Sequence, residues 1–259
     1  LNITLVRFTF FVMLALAAGC LSKPSVPAST QTQTSAPKKE AIDLGTTGKI
    51  EGVIKFAGTP PIRPAIDMTM DPACALAGSG KDLSESAIVT HGMLENTFVY
   101  VKRGVENYAI AIPPPAVLDQ NGCRYIPHVI GLMTGQTLRI LNSDNAQHNI
   151  YADAKNNPRT NDSQGPGAAP LERTFPNPEL LLPITCNQHP WMKMYLDVVS
   201  NPFFAVSGKD GRFSISGLPP GTYEIEAVHE RFGSKSQPVT VKPRGTTHLD
   251  FTFSNADSQ

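Results

Sequence analysis

The chain carries no excess of either charge: 22 Lys and Arg stand against 22 Asp and Glu in 259 residues. The missing basic surplus excludes an electrostatic nucleic-acid binder, and there is no acidic run to form a solvating tail. Long amphipathic helical patterns are also absent. The 23 prolines and 20 glycines favour turns over helices, because a proline ring cannot sit inside a helix. Several enzyme signatures are missing: Gly-x-Ser-x-Gly, His-Glu-x-x-His and a phosphate-binding loop. No Cys-x-x-Cys-His run is present, which argues against covalent c-type haem. What remains is a loop-rich, all-β chain long enough for two domains.

At the start, Arg7 is the only charge before an apolar run from Phe8 to Ala18, which leads to Gly19-Cys20. The run is shorter than the roughly 20 residues that a membrane span needs, and it reads as a targeting segment outside the fold. Small residues before a cysteine resemble the lipobox of bacterial lipoproteins. The resemblance implies a signal peptide over 1–20, lipid on Cys20, and a place in the cell envelope, periplasmic or surface-facing. The membrane would then be touched only through the lipid anchor. Residues 21–46 are rich in Ser, Thr, Pro and Gln and are expected to form a flexible tether.

Short strands with frequent turns follow. Lys49 to Phe56 alternates, Thr97 to Lys102 and Thr137 to Asn142 are strand-like, and Tyr195 to Val199 is another apolar strand. The polar stretch 155–178 is expected to be a long loop. After residue 200 come a turn at Lys209-Asp210-Gly211, a strand from Arg212, a turn at Gly217 to Gly221, and strands at 223–228, 237–241 and 248–253. The run from Asp210 to Ala227 resembles the carboxypeptidase-regulatory-like, or transthyretin-like, β-sandwich family, whose first strand reads like residues 48–58 here. The expected division is a metal domain over 47–200 and a small sandwich over 201–255, with strand 48–58 assignable to either.

The strongest chemical signal is Cys186-Asn187-Gln188-His189-Pro190-Trp191-Met192. Thiolate, imidazole and thioether on one short loop before a strand suit copper better than magnesium, calcium or zinc. A second imidazole would complete a trigonal set, and His148, at the end of the stretch that begins at Asn142, is the candidate. The combination resembles the cupredoxin, or type 1 blue copper, family. Gly135-Gln136-Thr137, the apolar run Leu138 to Leu141, Asn142 and His148-Asn149-Ile150 match its first half, and the ligand loop is amicyanin-like. Gln147 and Met194 depart from that pattern. The resemblance implies a Greek-key β-sandwich holding one type 1 copper ion through His148, Cys186, His189 and Met192, with Asn149 supporting the loops through hydrogen bonds. It also implies that His189 offers an exposed ring edge beside Pro190 and Trp191, where a redox partner would dock.

If Cys186 is a copper ligand, Cys74 and Cys123 are the natural disulfide pair in an oxidising compartment. Cys123 with His128 is a looser alternative metal pair, and His229-Glu230 reads as an edge-strand surface pair. The resulting expectation is an anchored carrier of single electrons rather than an enzyme, serving a redox protein such as a cytochrome or dehydrogenase. Two other functions compete with it: a periplasmic copper carrier or buffer, and an envelope binding module with a vestigial metal site.

Overall fold

Gly48–Ala57 shows why the second half of the chain needs its first strand. Ile50, Ile54 and Phe56 are buried on one alternating face while Lys49 and Lys55 point away, the period of a strand with one face on a core. That face is completed from far along the chain. Arg212–Leu218 pairs with it antiparallel on one edge, and Thr246–His248 and Phe251–Ser254 run parallel to it on the other. The strand between 48 and 58 therefore belongs to the C-terminal sandwich. The run expected over 248–253 is two strands, interrupted at Leu249–Asp250. The computed structural model describes residues 39–77 and 82–258. The signal peptide, Cys20 and most of the tether fall outside these residues, and Glu40–Ala41 pairs parallel with Tyr108–Ala109.

The second sheet of this sandwich runs Phe204–Val206, Phe98–Arg103, Gly221–His229, Gly233–Val241. Phe98–Arg103 thus lies outside the metal half, a correction to the expected 47–200 boundary. Four consecutive buried residues, Phe98 to Val101, mark a strand covered on both faces, and that pattern does not say which sheet takes it. One face joins the sandwich core through Val99 and Val101; the other brings Phe98 and Tyr100 against Val129, Val199 and Val228. Gly131 makes this joint possible, since a Cβ there would lie 2.5–2.6 Å from the rings of Phe98 and Phe204.

The metal half is a second sandwich. One sheet runs Leu171–Thr174, Thr137–Asn142, Ala116–Gln120, Tyr125–Ile126, and the other Thr160–Gln164, His148–Ala152, Glu179–Thr185, Lys193–Val199, Val129–Met133. The chain crosses between the two sheets repeatedly, and the pairs Thr137–Asn142 with Ala116–Gln120 and Lys193–Val199 with Val129–Met133 are parallel. The all-β, Greek-key character expected from the sequence is present. Its core holds Leu118, Leu132, Leu138, Ile140, Ile150, Leu182, Ile184 and Leu196, together with Cys186, Met192 and the Cys74–Cys123 pair. The polar stretch 155–178 is not simply a loop: Thr160–Gln164 and Leu171–Thr174 are edge strands. Their side chains are mostly polar and half-buried or exposed, and the Arg173–Asp162 pair and the buried Gln164 side chain add to the backbone pairing, so the hydrophobic pattern is silent.

Candidate metal centre

Two strand ends and one loop build the site. His148 opens the strand His148–Ala152, and Cys186 closes the strand Glu179–Thr185 by starting the loop to Lys193. Two backbone bonds tie that loop: the Cys186 N–H donates to Met192 O at 3.2 Å, and the Met192 N–H donates to His189 O at 2.9 Å. His148, Cys186, His189 and Met192 are 0%, 4%, 2% and 1% exposed, so any ion held there is out of water. The donor atoms of His148, Cys186 and His189 lie within 4.8 Å of one another. His148 Nδ1 faces His189 Nδ1 at 2.9 Å, and Cys186 Sγ is 3.6 Å from His189 Nδ1.

Two carboxylates behind the histidines set their tautomers. Asp144 Oδ2 is 2.9 Å from His148 Nε2, and Asp71 Oδ2 is 3.2 Å from His189 Nε2. An ionised carboxylate only accepts, so each Nε2 carries a proton and each Nδ1 is the nitrogen that faces inward. Asp144 is itself fixed by the N–H groups of Gly122 and Cys123, at 2.7 and 2.9 Å. Burial alone would raise the Asp144 carboxyl, but His148 and those two N–H groups hold it below the usual range. The His189 hydrogen bond lowers Asp71. At 2.9 Å the two Nδ1 atoms can share one proton, and a cation at the site would take that proton's place. Burial opposes a charge on His148, yet Asp144 and Cys186 raise it to about 9.

The thiol is prepared as a thiolate. Burial pushes the Cys186 thiol up, but His148 and the N–H groups of Asn149, Gln188 and His189 outweigh it and bring it down to about 6. The Asn149 N–H reaches the sulfur at 3.3 Å. The Asn149 side chain reaches Ser163 Oγ at 3.0 Å, which ties the His148 strand to its neighbour. A soft thiolate, two aimed imidazoles and a thioether residue on the same loop form a donor set that fits copper.

Cys74 and Cys123 form a disulfide, with Cα atoms 5.4 Å apart, and Cys186 is the free cysteine among the described residues. The disulfide anchors a cover that the sequence pattern does not announce. Asp71 and the short helix Pro72–Ala77 lie against His189, with Cys74 Sγ 3.7 Å from its Nε2. The expected exposed edge of His189 is therefore buried, the residue being 2% exposed. Pro190 is exposed, but Trp191 is half-buried, its ring 5.1 Å from His189 and its Nε1–H donating to Cys123 O at 3.0 Å. Both line a surface cavity of about 510 Å³ with Ile66, Met70, His128 and Lys193.

His128 does not meet Cys123 as a metal pair. Its Nε2 contacts Glu230 Oε1 at 2.5 Å, which joins the two sandwiches. His229 is 1% exposed against Phe232 rather than on an edge surface, and burial lowers it to about 4. Sequence reasoning missed Asp71 and Asp144. The signal for Asp144 is its place four residues before His148; Asp71 carries none beyond standing near Cys74.

Residues 199–254 match the carboxypeptidase regulatory-like domain. Among solved structures, the chain is similar to a copper-containing nitrite reductase from Thermus scotoductus SA-01, at 16% identity and a TM-score of 0.31, over 56% of this chain and 28% of that one. It is also similar to a purple cupredoxin from Nitrosopumilus maritimus, at 20% identity and a TM-score of 0.28, over 32% of this chain and 99% of that one. A mutant amicyanin in its reduced form matches at 17% identity and a TM-score of 0.30, over 34% of this chain and 86% of that one. The chain thus spans about 28% of the reductase and most of the two smaller proteins. A search of curated proteins found no match. The resemblance to the regulatory-like domain drawn from the sequence is present over residues 199–254.

Proposed function

We propose that this chain is a lipid-anchored protein of the cell envelope that holds one copper ion through His148, Cys186, His189 and Met192 and passes single electrons between redox proteins. The observation that carries the reading is the convergence of two inward-facing Nδ1 atoms and a low-pKa thiolate in a buried site. Bound there, copper supplies one-electron exchange between its two common oxidation states. The residues supply the rest. Asp144 and Asp71 lock the imidazoles, so little protein has to move when charge changes. The Asn149 N–H on Cys186 withdraws electron density from the sulfur and tunes the site. The core around Met192 excludes water.

With His189 covered, Trp191 is the aromatic group between the site and the open cavity, and the partner would dock at Pro190 and Trp191. Burial of all four candidate ligands favours electron transfer over a copper carrier or buffer, since ligand exchange needs access to the ion. The test is the visible spectrum of the chain loaded with Cu(II). An intense blue thiolate-to-copper band at one equivalent, lost in Cys186→Ser, supports the reading, and a colourless protein at one equivalent sinks it. Fast electron exchange without release of Cu(I) to an acceptor separates the carrier of electrons from the carrier of copper.

A further inference from the structure

The cavity of about 510 Å³ beside Trp191 holds a buried polar group that the metal centre does not use. His128 stands in its wall, with its side chain 7% exposed. Glu230 Oε1 takes its Nε2 at 2.5 Å, and its Nδ1 has no hydrogen-bond partner. A buried polar atom without a partner is uncommon and calls for a reason. Glu85, in the same wall, brings Oε2 to 3.6 Å from that Nδ1. The gap is too long for a direct hydrogen bond, and one polar atom bridging the two groups would close it.

The rest of the wall selects what carries that atom. Ile66, Met70 and Trp191 form an apolar and aromatic side, against which a flat ring can lie. Asp67, Glu85 and Glu230 set three carboxylates in the lining against one lysine, Lys193, and this excess repels anions. A cation at the gap is opposed by Arg124, whose guanidinium is 2.8 Å from the same Glu85 oxygen. A hydroxyl both donates and accepts. It therefore satisfies Nδ1 whether or not that nitrogen carries a proton, and it can donate to Glu85, whereas a carboxylate only accepts and an ammonium only donates.

We propose that this cavity binds a small neutral aromatic compound carrying a hydroxyl group, with its ring against Trp191 and Met70 and its hydroxyl bridging His128 Nδ1 and Glu85. A volume of about 510 Å³ is in the usual range for small-molecule sites. The Trp191 ring is 5.1 Å from that of His189, so the ligand lies one side chain away from the metal centre. Pro190 and Trp191 belong both to this cavity and to the surface assigned to the redox partner, so ligand and partner would compete. None of the four candidate metal ligands lines the cavity, and the site stands or falls apart from the copper reading.

Trp191 is the single tryptophan of the chain, so its fluorescence reports the cavity directly. The experiment titrates 4-methylphenol into the full chain without added metal, followed by calorimetry and by Trp191 emission. The expected result is one equivalent bound, with a saturable change in emission. Toluene, 4-methylbenzoate and benzylamine keep the ring and change the polar group, and each should bind about ten-fold or more weakly, because the buried groups are then left unpaired. His128→Phe should bring 4-methylphenol down to the affinity of toluene. Met70→Arg, at a position 74% exposed, blocks the apolar side without entering the core and should weaken binding about ten-fold as well. No saturable binding of 4-methylphenol overturns the proposal. So does toluene or 4-methylbenzoate binding as tightly, and a tighter benzylamine overturns it in favour of an organic cation. Should His128→Phe fail to fold, Met70→Arg and the ligand series decide, and wild-type affinity in Met70→Arg places the binding elsewhere and overturns the site.

Discussion

Asp197 offers a sharp test of the metal-half core. It is fully buried in the strand Lys193–Val199; its Oδ1 accepts the Leu181 N–H at 2.7 Å, and its Oδ2 has no partner. Burial raises its carboxyl from 3.8 to about 7, against the smaller opposing effect of that N–H. An unfolded Asp releases its proton near pH 4, while the folded one keeps it until about 7. The folded state therefore binds more protons across that window. Its stability is fully present below about pH 4 and falls as pH rises, by about 1.4 kcal/mol per pH unit. The roughly three-unit shift amounts to about 4 kcal/mol lost by neutral pH. Asp197→Asn keeps the acceptor for Leu181 and cannot ionise. The assay is urea unfolding of the metal-free chain at several pH values from about 4 to 8, wild type against variant. The wild type should lose about 4 kcal/mol relative to the variant across the window. Stability curves that stay parallel to within about 1 kcal/mol would refute the claim that this carboxyl is held neutral by burial.

Three other predictions test the fold. His229, lowered from 6.5 to about 4 by burial, acts in the opposite direction: stability present above about pH 6.5 is lost toward pH 4, by roughly 3 kcal/mol. His229→Met should flatten that acid limb in the same urea titrations; an unchanged limb would show that the ring protonates freely in the folded state. Replacing both disulfide cysteines by Ala opens a crosslink of sequence separation 49 and should cost about 4 kcal/mol by the loop-entropy relation, read from the urea midpoint, whereas a loss under about 1 kcal/mol would show that the cover is not held by the bond. Gly131→Val drives a side chain into Phe98 and Phe204 and should cost roughly 3 kcal/mol or more as overpacking. A variant as stable as wild type in thermal unfolding would mean that the joint between the sandwiches gives way easily.

The proposed ligand set was legible because it is local in the chain. Cys186, His189 and Met192 share one loop, and His148 begins a strand whose pattern, from Gly135 onward, is itself distinctive. Local alternation also made the strands at 48–57, 137–142 and 212–218 readable. What the chain concealed depends on contacts between distant segments. Asp71 meets His189 across 118 residues, and His128 meets Glu230 across 102. Neither short-range pattern nor composition encodes such a meeting. Phe98–Arg103 was visible as a strand but not assignable to a sheet, since a strand buried on both faces looks the same in either sandwich. The covered His189 has the same origin. The loop carrying it matches an open-edged type, and only a segment more than a hundred residues upstream changes that environment. Because that segment supplies a carboxylate as well as a lid, it has two effects at once: it removes the exposed imidazole edge and fixes the tautomer that aims Nδ1 at the site. Substituting Asp71 therefore tests both, and an effect on the metal centre without loss of fold would separate orientation from cover.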